Sequence, residues 1–140
     1  MATTRGACLC GSVEIEASVS PTVGACHCDI CRTWGGGPLF ALDGGDQVRL
    51  TGEDNVRTYP TTDWAERGFC SQCRPPLSTR RTYTGRYILP AGLFDRAVAD
   101  LVFDHQIFVD QRPRYYAFAN ETREQTGAEV FAQFAPGAGG

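Results

Sequence analysis

Ser12-Val13-Glu14-Ile15-Glu16-Ala17-Ser18 is the stretch that decides the fold class. Val13, Ile15 and Ala17 fall on one side and Glu14 and Glu16 on the other. Period-two alternation with β-branched residues predicts a half-buried strand. The same reading extends along the chain. Gln47–Thr51 alternates after the Gly44-Gly45 turn. Val56–Tyr59 reads as a strand closed by Pro60, Arg86–Leu89 as another, Gln106–Val109 as a fifth and Tyr115–Phe118 as a sixth. Leu39–Leu42 is apolar throughout, and periodicity does not separate a buried strand from a helical turn there. Helical signals are short: Ile30–Trp34, Thr62–Glu66 with Thr62 or Asp63 as cap, and a weak amphipathic pattern over Arg96–Leu101. The balance predicts a mainly β fold of short antiparallel strands with a few helical turns. Residues 5–134 read as one domain, with 1–4 and 135–140 as flexible termini.

The cysteines flank and follow that first strand. The 140 residues include seven: Cys8, Cys10, Cys26, Cys28, Cys31, Cys70 and Cys73. An odd number does not pair fully into disulfides. The N-terminus has no apolar signal segment and no run spans a bilayer, so a cytoplasmic, reducing setting is expected, where such clusters bind metals or catalyse. Cys70-x-x-Cys73 is a common zinc half-site spacing, Cys8-x-Cys10 a tighter one, and Cys26-x-Cys28-x-x-Cys31 offers three thiolates within six residues. A four-plus-three division would give one closed, structural zinc and one zinc with a position left for an outside ligand. Spacing leaves other divisions open, since Cys8 and Cys10 could join two of the middle cluster. Buried free thiols, disulfides and iron–sulfur ligation are further uses of the same residues.

Charge narrows the partners. Thirteen basic residues, all arginine, face sixteen acids, for a net charge of −3 and a pI near 5.3. Nucleic-acid modules carry a basic face and a pI above about 9, so a nucleic-acid partner is not expected. With 42% hydrophobic residues, the chain is no disordered tail. Gly35-Gly36-Gly37 lacks the lysine and the strand–loop–helix setting of a phosphate loop.

Three ordered runs, Gly6-Ala7-Cys8-Leu9-Cys10-Gly11-Ser12-Val13, Ala25-Cys26-His27-Cys28-Asp29-Ile30-Cys31-Arg32 and Arg67-Gly68-Phe69-Cys70-Ser71-Gln72-Cys73, resemble the glutathione-dependent formaldehyde-activating enzyme family, whose domain also occurs in centromere protein V. Gly92-Leu93-Phe94-Asp95 and Gln106–Val109 followed by Pro113 fit as well. The resemblance implies a β-tent-like zinc-binding fold. It implies a structural zinc on Cys8, Cys10, Cys70 and Cys73 and a catalytic zinc on Cys26, Cys28 and Cys31. It also implies a carbon–sulfur lyase or synthase activity that joins glutathione to formaldehyde as S-hydroxymethylglutathione. The alternative is a zinc-stabilised binding or scaffold domain without catalysis. By their positions between the ligands of the middle cluster, His27 and Asp29 are the candidate catalytic groups beside the open zinc. Arg32 and Arg67 are candidates for a substrate carboxylate, through a bidentate fork. A homo-oligomer is left open. One departure stands out: the family usually has Gly after the last structural cysteine, and this chain has Arg74-Pro75. Gly there would permit a positive φ, whereas a residue before proline is pushed to extended backbone. The knuckle is therefore expected to take another shape, or the site to be strained or lost.

Overall fold

The computed structural model describes residues 3–134, and the expected C-terminal tail, 135–140, lies outside them. The fold is mainly β, with mixed sheets of the kind a tent-like β fold contains. Its strands are β1 Thr3–Ala7, β2 Glu14–Ser18, β3 Thr22–Cys26, β4 Leu39–Gly45, β5 Arg49–Thr51, β6 Val56–Thr62, β7 Ala65–Cys70, β8 Pro76–Arg81, β9 Tyr87–Pro90, β10 Val102–Ile107 and β11 Arg123–Gln125. The helices are α1 Asp29–Gly35 and α2 Gly127–Phe134. Contacts gather the chain into two units, one holding residues up to Pro21 with Ala41–Leu101, the other Thr22–Phe40 with residues from Val102 onward.

In the first unit, β2 lies between β1 and β5 in an antiparallel sheet. The alternation read from the sequence is obeyed: Val13, Ile15 and Ala17 are at most 1% exposed, while Glu14 faces solvent. Thr3 and Thr4, expected in a frayed end, pair with Ser18 and Ala17. A second antiparallel array runs β4-β9-β8-β7-β6. Leu42, Leu77, Leu89 and Phe94 form its dry interior. β6 does not stop at Pro60 but continues to Thr62. It pairs on one side with β7, and a proline is tolerated on an edge strand because its missing N–H faces no ladder.

The expected helix over Thr62–Glu66 is instead the β6–β7 hairpin. Thr62 Oγ1 accepts a hydrogen bond from the Trp64 amide at 3.3 Å, so the would-be helix cap closes a turn. Arg96–Leu101 forms no helix either. After a 3-10 turn at Ala91–Leu93, only Phe94 anchors the segment in the core. The residues beyond it are mostly exposed and give a helix no face to bury.

Gly52 shows how tightly the first unit closes. Its φ is +82°, and a Cβ there would stand 1.9 Å from the Ser12 carbonyl oxygen. Gly11, at φ +76°, has open space around it. We expect Gly52→Ala to cost more than about 2 kcal/mol and Gly11→Ala only about 1, since just the first adds a backbone collision to left-handed strain. Urea titration of both variants measures the difference, and equal costs would contradict the geometry.

The second unit departs from the all-antiparallel expectation. β3 and β11 both run parallel to β10. Alternation reports which face a strand buries but not the direction of its partner. Tyr115–Phe118, expected as a strand, is irregular. Both sides of β10 are already taken by β3 and β11, so that segment packs by its rings. Phe118 lies 5.3 Å from both Phe40 and Phe103, centroid to centroid. His105 packs on Gly24, where a Cβ would come 2.1 Å from the imidazole Nε2.

Candidate metal centres

The first unit brings together Cys8, Cys10, Cys70 and Cys73. Cys8 and Cys10 ride the β1–β2 turn, and Cys70 and Cys73 the β7–β8 turn. All four sulfurs lie within 4.8 Å of one another. Cys8 and Cys10 Sγ are 3.6 Å apart, and Cys10 and Cys70 Sγ 3.7 Å. A tetrahedron with metal–sulfur bonds of about 2.3 Å has edges of roughly 3.8 Å, so the donor set fits a four-thiolate metal. Peptide N–H groups aim at the sulfurs: Val13 at Cys8, Cys10 at Cys73 and Gln72 at Cys70, each at 3.4 Å.

Ser12 also belongs to this centre, although its sequence reading is only that of a strand residue. Its Oγ lies 3.0 Å from Cys10 Sγ and 3.4 Å from Cys70 Sγ. The hydroxyl, with the neighbouring amides, draws the Cys70 thiol down to about 5. Burial pushes Cys73 up to about 12. Cys8 ends below its ordinary value: its burial acts upward, but the Val13 amide and the adjoining Cys10 and Cys73 sulfurs outweigh it.

Arg74 resolves the departure noted in the sequence. Its φ is +70°, so the knuckle keeps the glycine-type turn and the arginine bears the strain. Left-handed backbone costs a β-carbon residue about 1–2 kcal/mol, partly offset in glycine by unfolded-state entropy. Arg74→Gly is expected to stabilise the chain by up to about 1 kcal/mol without changing metal content. A drop in the urea midpoint would show that the side chain contributes something the turn does not.

The second unit brings Cys26, Cys28 and Cys31 within 4.8 Å of one another. Cys26 ends β3, Cys28 is the N-cap of α1, and Cys31 lies one turn in, its amide donating to Cys28 Sγ at 3.3 Å. Among the described residues no fourth His, Cys, Asp or Glu joins this group. The thiols of Cys28 and Cys31 crowd Cys26 and hold its ionisation well above the ordinary range. A divalent cation is the counter-charge such a trio lacks, so these residues fit a metal held by three thiolates.

His27 lies between two of these cysteines and is fully buried. Its Nε2 is 2.8 Å from Gln106 Oε1 and its Nδ1 is 2.6 Å from Tyr116 Oη. Both ring nitrogens are thus occupied by protein groups. Burial lowers its proton affinity. The Tyr116 phenol is likewise shifted by burial, upward.

Asp29 sits exposed in the first turn of α1, and its amide donates to Gln111 Oε1 at 2.9 Å. Arg32, also in α1, donates from Nε to the His27 carbonyl at 2.9 Å. Arg67 is placed in β7 of the first unit and is 6% exposed. Gln106, Arg112, Tyr116 and Thr122 are parts of the His27 surroundings that carry no sequence motif.

The family model described as glutathione-dependent formaldehyde-activating enzyme matches residues 3–111. The chain is 33% identical over 129 residues to an uncharacterized lyase of Schizosaccharomyces pombe, covering 90% of this chain and 93% of that protein. A crystal structure of a Rhodobacter sphaeroides protein superposes with a TM-score of 0.55 at 22% identity, over 71% of this chain and 98% of the other, and supports the fold alone. No helix among the described residues is long and apolar enough to cross a membrane. With the family model spanning more than three quarters of the residues and both cysteine groups assembled, the chain belongs to the glutathione-dependent formaldehyde-activating enzyme family.

Proposed function

We propose that the protein is a zinc-dependent carbon–sulfur lyase or synthase acting on the adduct of a small thiol, such as glutathione, with an aldehyde such as formaldehyde. The observation that carries this reading is the group of three cysteines, joined among the described residues by no fourth His, Cys, Asp or Glu. Cys26, Cys28 and Cys31 would hold one zinc, and Cys8, Cys10, Cys70 and Cys73 a second, structural one. Bound by three thiolates, zinc supplies a modest Lewis acid that favours ionisation of an incoming thiol. The protein's own contribution is placement, which converts a two-molecule encounter into a positioned one. The guanidinium of Arg32, anchored through Nε to the ligand loop, has its remaining N–H groups to offer a substrate carboxylate. Arg67 is a second candidate for that carboxylate. Asp29, exposed at the start of α1, is the nearest carboxylate in sequence for handling a proton. His27 acts by position, because both of its nitrogens are engaged inside the protein.

Elemental analysis with glutathione titration tests the reading. We expect two zinc ions per chain, one of them perturbed by the thiol, and formation of the ¹³C-labelled hydroxymethyl adduct accelerated by the protein. One zinc per chain, indifferent to glutathione, would point to the scaffold function instead.

A further inference from the structure

Cys28 stands where the chain changes from extended to helical. Its φ of −62° and ψ of 154° are extended, and Asp29 begins α1. The direction of its sulfur follows from how the planar Cys28–Asp29 peptide group is set, because that plane fixes ψ of Cys28. Both ends of this peptide group are held. Its carbonyl accepts from the Arg32 amide at 3.0 Å, within α1. Its N–H, the Asp29 amide, donates to Gln111 Oε1 at 2.9 Å. A backbone amide only donates, so the oxygen of the Gln111 side chain faces it. This amide is one of the orphan donors at the start of a helix, which the helix itself does not satisfy. On the other side of Cys28, the His27 amide donates to the Ile107 carbonyl at 3.2 Å. Cys28 is thus flanked by two fastenings to one short stretch of chain, Ile107 to Gln111.

The turn that delivers Gln111 is braced. β10 ends at Ile107, and Phe108 then takes a left-handed φ of +56°, a conformation that costs a residue with a β-carbon. The 3-10 turn Val109–Gln111 follows, its Gln111 amide donating to the Phe108 carbonyl at 3.0 Å. α2 packs against this turn. The Phe108 ring lies over Gly127, where a Cβ would come within 2.8 Å of the ring, and meets Phe131 edge-on with centroids 5.6 Å apart. The Gly127 amide donates to Asp110 Oδ1 at 2.8 Å. Backbone strain held in place by surrounding structure gathers where geometry serves function. Water can solvate an exposed helix amide, so Asp29 does not need Gln111 for that purpose. What water does not supply is a fixed direction.

We infer that Gln111 is a positioning residue of the three-cysteine centre. By holding the Asp29 amide it fixes the Cys28–Asp29 peptide plane and keeps Cys28 Sγ in place beside the sulfurs of Cys26 and Cys31. α2 serves the same centre from further off, by bracing the turn that carries Gln111. The inference rests on the reading of the three-cysteine group as a metal site.

The test uses protein loaded with cobalt(II), whose release to excess EDTA is followed through the sulfur-to-cobalt absorption. The four-cysteine group is the internal reference, and a Cys31→Ser control identifies the release phase of the three-cysteine group. Gln111→Ala removes the acceptor oxygen, and Gln111→Glu keeps one at the same reach. In Gln111→Ala we expect the three-cysteine phase to quicken about three- to tenfold, as for the loss of one hydrogen bond, and its cobalt d–d bands to shift. The four-cysteine phase and the Tm should stay as in wild type, and Gln111→Glu should restore both the rate and the bands. An unchanged three-cysteine phase in Gln111→Ala, an equal quickening of both phases, or no rescue by Gln111→Glu overturns this inference alone. A three-cysteine group that takes up no cobalt overturns the reading beneath it as well. Should Gln111→Ala fold poorly, amide hydrogen exchange of the zinc-loaded wild type decides the matter. A protected Asp29 amide supports the assignment, and exchange at the rate of an open amide refutes it.

Discussion

Cys31→Ser is expected to leave a folded protein that has lost one metal equivalent and its response to thiols. Cys31 is buried, and its amide also donates to Cys28 Sγ. The substitution conserves that amide and nearly conserves volume, so α1 should persist. The loss falls on the donor set, reduced from three thiolates to two. Removing a group that merely supports a metal ligand costs about 10–100-fold in affinity or activity, and removing a ligand should exceed that. Metal content should fall by one equivalent per chain, and adduct formation should drop beyond a hundredfold, with circular dichroism close to wild type. A Cys31→Ser protein that retained its metal and turnover would dispose of the three-cysteine centre as the place of chemistry.

Cys70→Ser should fail in the opposite way, through the fold. Cys70 is fully buried at the end of β7, and its group ties the β1–β2 turn to the β7–β8 turn across about sixty residues of chain. A closed structural zinc site contributes apparent binding free energy of about 10–16 kcal/mol, as large as the whole stability of many domains, roughly 5–15 kcal/mol. A cross-link over so long a loop also restricts the unfolded chain. We expect the variant to lose cooperative thermal unfolding, or to melt more than about 15 °C below wild type. In wild type, a chelator should strip the three-thiolate metal first and the four-thiolate metal only as the fold collapses. Scanning calorimetry with parallel metal analysis follows both losses. A Cys70→Ser, Cys73→Ser double variant that kept two metals and an unshifted Tm would refute the structural assignment.

The parts of this molecule that were legible in one dimension are those set by local chemistry. The Val13–Ile15–Ala17 alternation predicts its buried face because side chains on a strand repeat every two residues. The cysteine spacings predict metal half-sites because a tight turn delivers two sulfurs to one point. Other features were hidden for equally physical reasons. Parallel pairing of β3 with β10 joins residues more than seventy positions apart, and no local signal specifies it. Tyr115–Phe118 has strand-like residues but no vacant edge to join. Arg74-Pro75 predicts an extended backbone by local preference, whereas the folded knuckle holds Arg74 at a φ of +70°.

The spacing of seven cysteines and the period of the strands thus determined by themselves a mainly β chain with two prospective metal groups, because both are short-range patterns. Spacing left the division of the cysteines open; the family resemblance implied four and three, and the tertiary structure assembles those two groups. It alone decided that Ser12 joins the first and that Gln106 and Tyr116 bracket His27 beside the second. Those assignments depend on residues as distant as Cys8 and Cys70, or His27 and Tyr116, meeting in space. Which distant partners meet is settled by burial of the whole core, which leaves no mark at any single position.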